Sequence, residues 1–189
     1  MFFHLFSFRF DIILDSQQQL FKGEDVPLLS PEYQQKLNDF YGNPKQKWKL
    51  IYKAARDGFK PEDFHKLCDN KGPTMSLLQS AKGGYLFGGF TRQSWTSVLG
   101  CKNDSEAFMF TLKNPYEIPP TKLPIKNYTI KCAVFHRKTE GPSFGAGDLI
   151  SSPDSNLKIV SHVFFPRAYV DTTDKDVELF TGIVQGATK

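Results

Sequence analysis

Apolar and polar positions alternate in several separate runs of the chain, and each run predicts a strand. Phe6, Phe8 and Phe10, continuing to Ile12, recur at every second position, the period of a strand with one buried face. Met75 to Ser80 and Tyr85 to Phe90 are two apolar runs separated by Ala81-Lys82-Gly83-Gly84, and a short glycine-bearing gap between such runs is a hairpin signal. Phe108, Phe110 and Leu112 face one way while Ala107, Met109 and Thr111 face the other. Tyr128, Ile130, Cys132 and Val134 alternate with Thr129, Lys131 and Ala133 and predict a further strand. Another alternating set lies between Leu157 and Phe165.

A period near 3.6 appears only in the first third. Ser30-Pro31-Glu32 is a helix start, with a hydroxyl cap, proline in the first turn and an acid at the positive end of the dipole. Tyr33, Leu37, Phe40 and Tyr41 then form one stripe, ended by Gly42-Asn43-Pro44. Trp48, Ile51, Tyr52 and Ala55 predict a second helix capped at Gly58, and a third starts at Pro61 with Phe64, Leu67 and Cys68 on one side. Lys113 to Pro124 holds four prolines and predicts a surface loop.

Helices first and strands afterwards, without strand–helix repetition, predict an α+β fold. Its form is two antiparallel β-sheets packed as a sandwich, with two or three N-terminal helices against them. Residues 1–29 read as an N-terminal strand or a loosely packed leader, and 30–189 as the domain. Gly88 and Gly89 interrupt the second strand of the hairpin; glycine inside a strand marks a bulge or a close approach. A bulky neighbour such as Trp95 is expected to fill that space.

At 189 residues the chain suits one domain, and 18 Phe supply bulk for its core. The net charge of +4 is scattered, so it implies no polyanion partner. Cys68, Cys101 and Cys132 are odd in number and widely spaced, show no zinc spacing, and are expected to be free thiols in a reducing compartment. No run approaches the roughly 18 apolar residues of a membrane span, and Met1 to Leu14 lacks the basic start and cleavage site of a signal peptide.

The sharpest enzymatic lead is Gly141-Pro142-Ser143-Phe144-Gly145, a G-x-S-x-G match followed by Asp148 or Asp154 and then His162, the order of α/β-hydrolase triads. A nucleophile elbow needs a helix leaving the serine, whereas here a second glycine-rich turn leads into a strand, with no helix dipole for an oxyanion. Asp171, Asp174, Asp176 and Glu178 resemble a calcium ladder without its glycine turn and distant glutamate, so a solvated acidic loop is expected. His65 is expected to be exposed, and His136 and His162 to be satisfied by backbone. No catalytic, cofactor-binding or metal-binding residue is assigned, and no nucleic-acid platform is visible.

Several separated elements agree in order and spacing with one family. Gly72-Pro73-Thr74, Phe87-Gly88-Gly89-Phe90-Thr91, Ser94-Trp95, Asp104 and Ala107-Phe108-Met109-Phe110 resemble the TLDc core. The lead-in from Trp48 to Asp69, the element Gly141 to Ile150 and the segment Phe164 to Gly182 are similar to its flanks. The glycine element is one residue shorter than usual and lacks a histidine before Asp148, and beyond Gly182 the family's last strand is not evident. The resemblance implies a non-catalytic protein-interaction domain with a role in oxidative-stress protection. It also implies vacuolar proton-pumping ATPase subunits as partners and a cytoplasmic location, peripheral to endolysosomal or vacuolar membranes through a partner. Phe59, Tyr85, Arg92 and Arg167 are candidate anchors for such a partner. A serine hydrolase using Ser143 is the alternative.

Overall fold

The alternating runs assemble into two sheets in the computed structural model, which describes residues 3–11, 21–22, 29–80, 83–151 and 163–181. The larger sheet contains β1 (Phe3–Asp11), β2 (Phe21–Lys22), β3 (Lys47–Lys53), β4 (Thr74–Ser80), β5 (Leu86–Thr91), β7 (Phe108–Lys113) and β8 (Thr121–Pro124). Its order is β2-β3-β1-β4-β5-β7-β8, antiparallel throughout except for the β2–β3 edge pair. The smaller sheet, of order β11-β10-β9-β6, contains β6 (Gly100–Lys102), β9 (Val134–His136), β10 (Ser143–Phe144) and β11 (Leu149–Ile150). The fold is therefore an α+β sandwich, as the order of periodicities implies.

Both faces of the larger sheet are buried, by different layers. Helix α1 (Pro31–Tyr41) covers one face, where Leu37 packs with Trp48, Leu50, Met75, Leu77, Phe90, Phe108 and Phe110. Ser30 caps it, its Oγ accepting from the Tyr33 N–H at 3.2 Å. Asn38 ties it down: its side chain donates to the Gln46 carbonyl at 2.7 Å and accepts from Trp48 Nε1 at 2.8 Å. The other face meets the smaller sheet and helix α3 (Pro61–Cys68). There Phe87 and Met109 share a core with Phe64, Trp95, Phe144, Tyr169 and Phe180.

At Gly89 a side chain of the smaller sheet lies close against β5. A Cβ on it would lie 2.6 Å from Cε1 of Phe144, on β10 of the smaller sheet. The space beside Gly89 is thus filled by Phe144 and not by Trp95, which packs edge-on against Phe144 at 5.7 Å, whereas a Cβ on Gly88 would meet the Ser76 carbonyl oxygen at 1.9 Å and Phe110 Cζ at 3.0 Å.

Four local expectations are corrected. Residues 47–53 are strand β3, and only Ala54–Asp57 is helical (α2). Ser7 pairs with Tyr52 and Phe8 with Leu50, so Ile51 is an extra residue that moves Tyr52 to the opposite face from Leu50. That bulge turns a period of two into the spacing 48, 51, 52, 55, which mimics a helix. Residues Asn127–Cys132 form a 3-10 helix with no buried residue, and only Val134–His136 is strand. Here the Thr129 hydroxyl donates to the Lys126 and Ala168 carbonyls at 2.9 and 2.7 Å, a local alternative to a ladder. The proline-rich stretch contains β8, an edge strand, where proline is tolerated. Cys101 and Cys132 form a disulfide with Cα atoms 4.6 Å apart, and Cys68 is the free thiol, fully buried. Pairing of β6 with β9 is what brings Cys101 to the end of the 3-10 helix.

The expected alternation between Leu157 and Phe165 falls mostly outside the described residues, as do Asp154, His162 and the tail beyond Thr181, and its described end, Val163 to Phe165, is not in a strand. Among the described residues no helix is long and apolar enough to cross a membrane.

Candidate functional site

The glycine element forms the outer corner of the smaller sheet. Ser143 and Phe144 make up β10, pairing with Ile150 and Leu149 of β11, while Phe144 also pairs with Val134 of β9. Phe144 points into the core and Ser143, by alternation, points to the outer face. Ser143 is nonetheless buried, and its hydroxyl has no hydrogen-bond partner among the described residues. It lines a pocket of about 210 Å³ together with Cys101, Phe135, Arg137, Gly147 and Ile150. The chain leaves Ser143 through a turn into β11, not into a helix.

Asp148 holds this corner to the returning C-terminal segment. Its carboxylate accepts from the backbone N–H groups of Arg167 (2.7 Å), Ala168 (2.9 and 3.0 Å) and Tyr169 (3.3 Å). Burial pushes its pKa above the usual carboxylate range, and those three N–H groups and Lys126 pull against that rise. A Cβ at Gly145 would lie 2.2 Å from Asp148 Oδ2, and its φ of +64° suits glycine, so the turn leaves room for the clamp. Both oxygens of Asp148 are engaged by backbone N–H groups, and among the described residues no imidazole hydrogen-bonds to it. Of the sequence-level triad the described residues contain Ser143 and Asp148 only.

A carboxylate–imidazole pair does exist elsewhere, and it is structural. His65 is buried rather than exposed: Nδ1 lies 2.7 Å from Asp69 Oδ1, and Nε2 lies 3.1 and 3.0 Å from the carbonyls of Arg137 and Glu140. Ser97 donates to Asp69 at 2.9 Å, not to the histidine. The pair straps α3 to the turn after β9. Its spacing of four residues on a helix was the signal available in the sequence. Among the described residues His136 is not satisfied by backbone: Nδ1 lies 3.0 Å from Thr96 Oγ1 and Nε2 has no partner.

Asp171 is likewise committed to its own loop. It accepts from the N–H of Thr173, Lys175 and Asp176 at 2.7, 3.0 and 2.7 Å, and from the Thr173 hydroxyl at 2.7 Å. Glu178 accepts from the Tyr116 hydroxyl. Among the described residues no three His, Cys, Asp or Glu side chains are grouped to hold a metal ion. Cys68 sits in apolar surroundings that push its thiol pKa well up, which makes it a poor nucleophile.

The candidate anchors differ in exposure. Phe59 and Tyr85 lie partly buried against the core. Arg92 pairs with Glu106 at 2.6 Å. Arg167 is exposed, its guanidinium 4.7 Å above the ring of Phe164, which is itself 47 % exposed.

Comparison with known families places this arrangement. The TLDc domain model matches residues 17–177. The chain belongs to the TLDc domain family. The TLDc chain is also 35% identical over 68 residues to the MTOR-associated protein MEAK7 of Danio rerio, covering 34% of this chain and 14% of that protein. It is 27% identical over 107 residues to the Mus musculus protein of that name, covering 55% and 20%, and 32% identical over 71 residues to the Gallus gallus one, covering 36% and 14%. The TLDc chain thus matches a fifth or less of the length of these relatives.

Proposed function

We propose that this TLDc domain is a non-catalytic protein-interaction module that docks onto a large protein assembly. The observation that carries the reading is the family match over residues 17–177, joined to a glycine corner whose acid serves as a backbone clamp. Two assemblies are candidates. The relatives are named for association with MTOR, and TLDc proteins in general suggest the vacuolar proton-pumping ATPase and a part in oxidative-stress protection. Docking of this kind leaves the domain at the cytoplasmic side of a membrane through its partner. Immobilised chain should retain purified vacuolar ATPase or purified MTOR complex in a salt-sensitive manner. Retention of neither at low salt sinks the reading.

The unpartnered Ser143 hydroxyl keeps a serine hydrolase as the second reading. A fluorophosphonate probe separates the two. The interaction reading expects no label above that of the Ser143→Ala chain; a label that this substitution abolishes establishes the hydrolase.

A further inference from the structure

The outer face of a sandwich sheet is ordinarily polar, yet the smaller sheet carries an apolar row on its outer face. Cys101 pairs with Phe135 and Ser143 with Ile150, and the Phe144–Val134 pair sets these two couples side by side. The row crosses all four strands and forms one wall of the pocket of about 210 Å³, flanked by the Ala146-Gly147 turn. A cavity of about 150 Å³ holds benzene, so this one admits a single six-membered ring. Polar features sit at defined places around it. The Ser143 hydroxyl is buried without a partner among the described residues. Arg137 lies 5.1 Å above the Phe135 ring and is neutralised by Glu140 at 2.9 Å. Arg167 reaches the rim, its Nη1 3.5 Å from the Ala146 carbonyl, and has no carboxylate partner among the described residues. Among the described residues the rim is therefore net positive.

We propose that this pocket receives the tyrosine side chain of a partner protein segment that carries acidic residues beside that tyrosine; the proposal rests on the interaction-module reading above. The ring packs on Phe135, Ile150 and the sulfur of Cys101. The phenol reaches the Ser143 hydroxyl, and the flanking carboxylates meet Arg167. An aromatic anchor in a desolvated pocket with a charged rim is the arrangement that concentrates interface energy.

The test uses the full chain and a titration of its backbone amide signals with acetyl-Glu-Glu-Tyr-Glu-Glu-amide. Saturable shifts are expected at Ser143, Gly147 and Ile150. Affinity should fall about tenfold when the tyrosine is replaced by alanine or the glutamates by lysines. Arg167→Glu, and Ala146→Trp at an exposed turn position, should each weaken the parent peptide by a similar factor while the remaining spectrum stays unchanged. Absence of saturable shifts, equal binding of the lysine peptide, or indifference to both substitutions overturns the proposal. So does p-cresol alone shifting these amides as strongly as the peptide, which would assign the pocket to a small phenol. Retention of the assembly by the Ala146→Trp chain as well as by the parent overturns the pocket while sparing the interaction reading; retention by neither removes that reading, and the peptide titration still decides the pocket.

Discussion

His136 is fully buried beside the Trp95 ring, and among the described residues Thr96 is its single hydrogen-bond partner and Nε2 has none. Burial first, and then the Lys102 charge, lower its pKa to about 4, against about 6.5 in the unfolded chain. Asp69 opposes this shift, and His65 adds to it. Between these two values the unfolded chain binds more protons than the folded one, so stability rises with pH. The contribution is complete above about pH 6.5 and is lost as pH falls through the window toward 4. A shift of this size corresponds to at most about 3 kcal/mol. Urea unfolding at pH 7 and pH 4 should show the parent losing roughly 2–3 kcal/mol more than His136→Phe across that interval; parallel losses would mean that His136 is solvated. None of this was legible in the sequence. A histidine at an alternating position announces a strand, but its partner Thr96 and the ring beside it come from a loop some 40 residues away.

Elements were legible where their period was unbroken. β4, β5, β7, α1 and α3 lie where the runs of Met75, Tyr85, Phe108, Tyr33 and Phe64 predict them. The reading failed at β3, where one bulged residue imitates a helical spacing, and at the 3-10 helix, where alternation exists without burial. The disulfide was hidden for a related reason: only the pairing of β6 with β9 brings Cys101 and Cys132 together, across a separation of 31 residues. A cross-link closing a loop of that length stabilises by about 3–4 kcal/mol in the chain-entropy account. It also pins β6, an edge strand of only three residues. Adding dithiothreitol should therefore lower the urea midpoint of the oxidised chain, Cys132→Ser should lower it as much, and the two together should do no more. An oxidised chain whose midpoint ignores the reductant would show that β6 is held by its ladder and packing alone.

At the scale of the molecule, one strand sits between two cores. β5 presents Leu86 and Phe90 to the α1 side, and Phe87 and Gly89 to the smaller sheet. Gly89 thus acts at a distance of more than fifty positions: the glycine pair foretells close approaches to β5, and only the stacking of the sheets decides that the one at Gly89 is Phe144, while Gly88 faces the Ser76 carbonyl and Phe110. Gly89→Ala puts a methyl into the Phe144 ring, a steric overlap expected to cost about 1–3 kcal/mol. Phe144→Ala empties a fully buried site that also touches Trp95 and Tyr169, and should cost about 3–5 kcal/mol. In the double variant the methyl enters space that the ring has vacated. The combined loss should then fall short of the sum by at least about 1 kcal/mol, the coupling expected of residues in contact. Chemical denaturation of the four chains in this cycle measures it. Strict additivity would mean that the sheets do not close on each other at Gly89, and the pocket on the far side of β10 would lose the support that holds its floor in place.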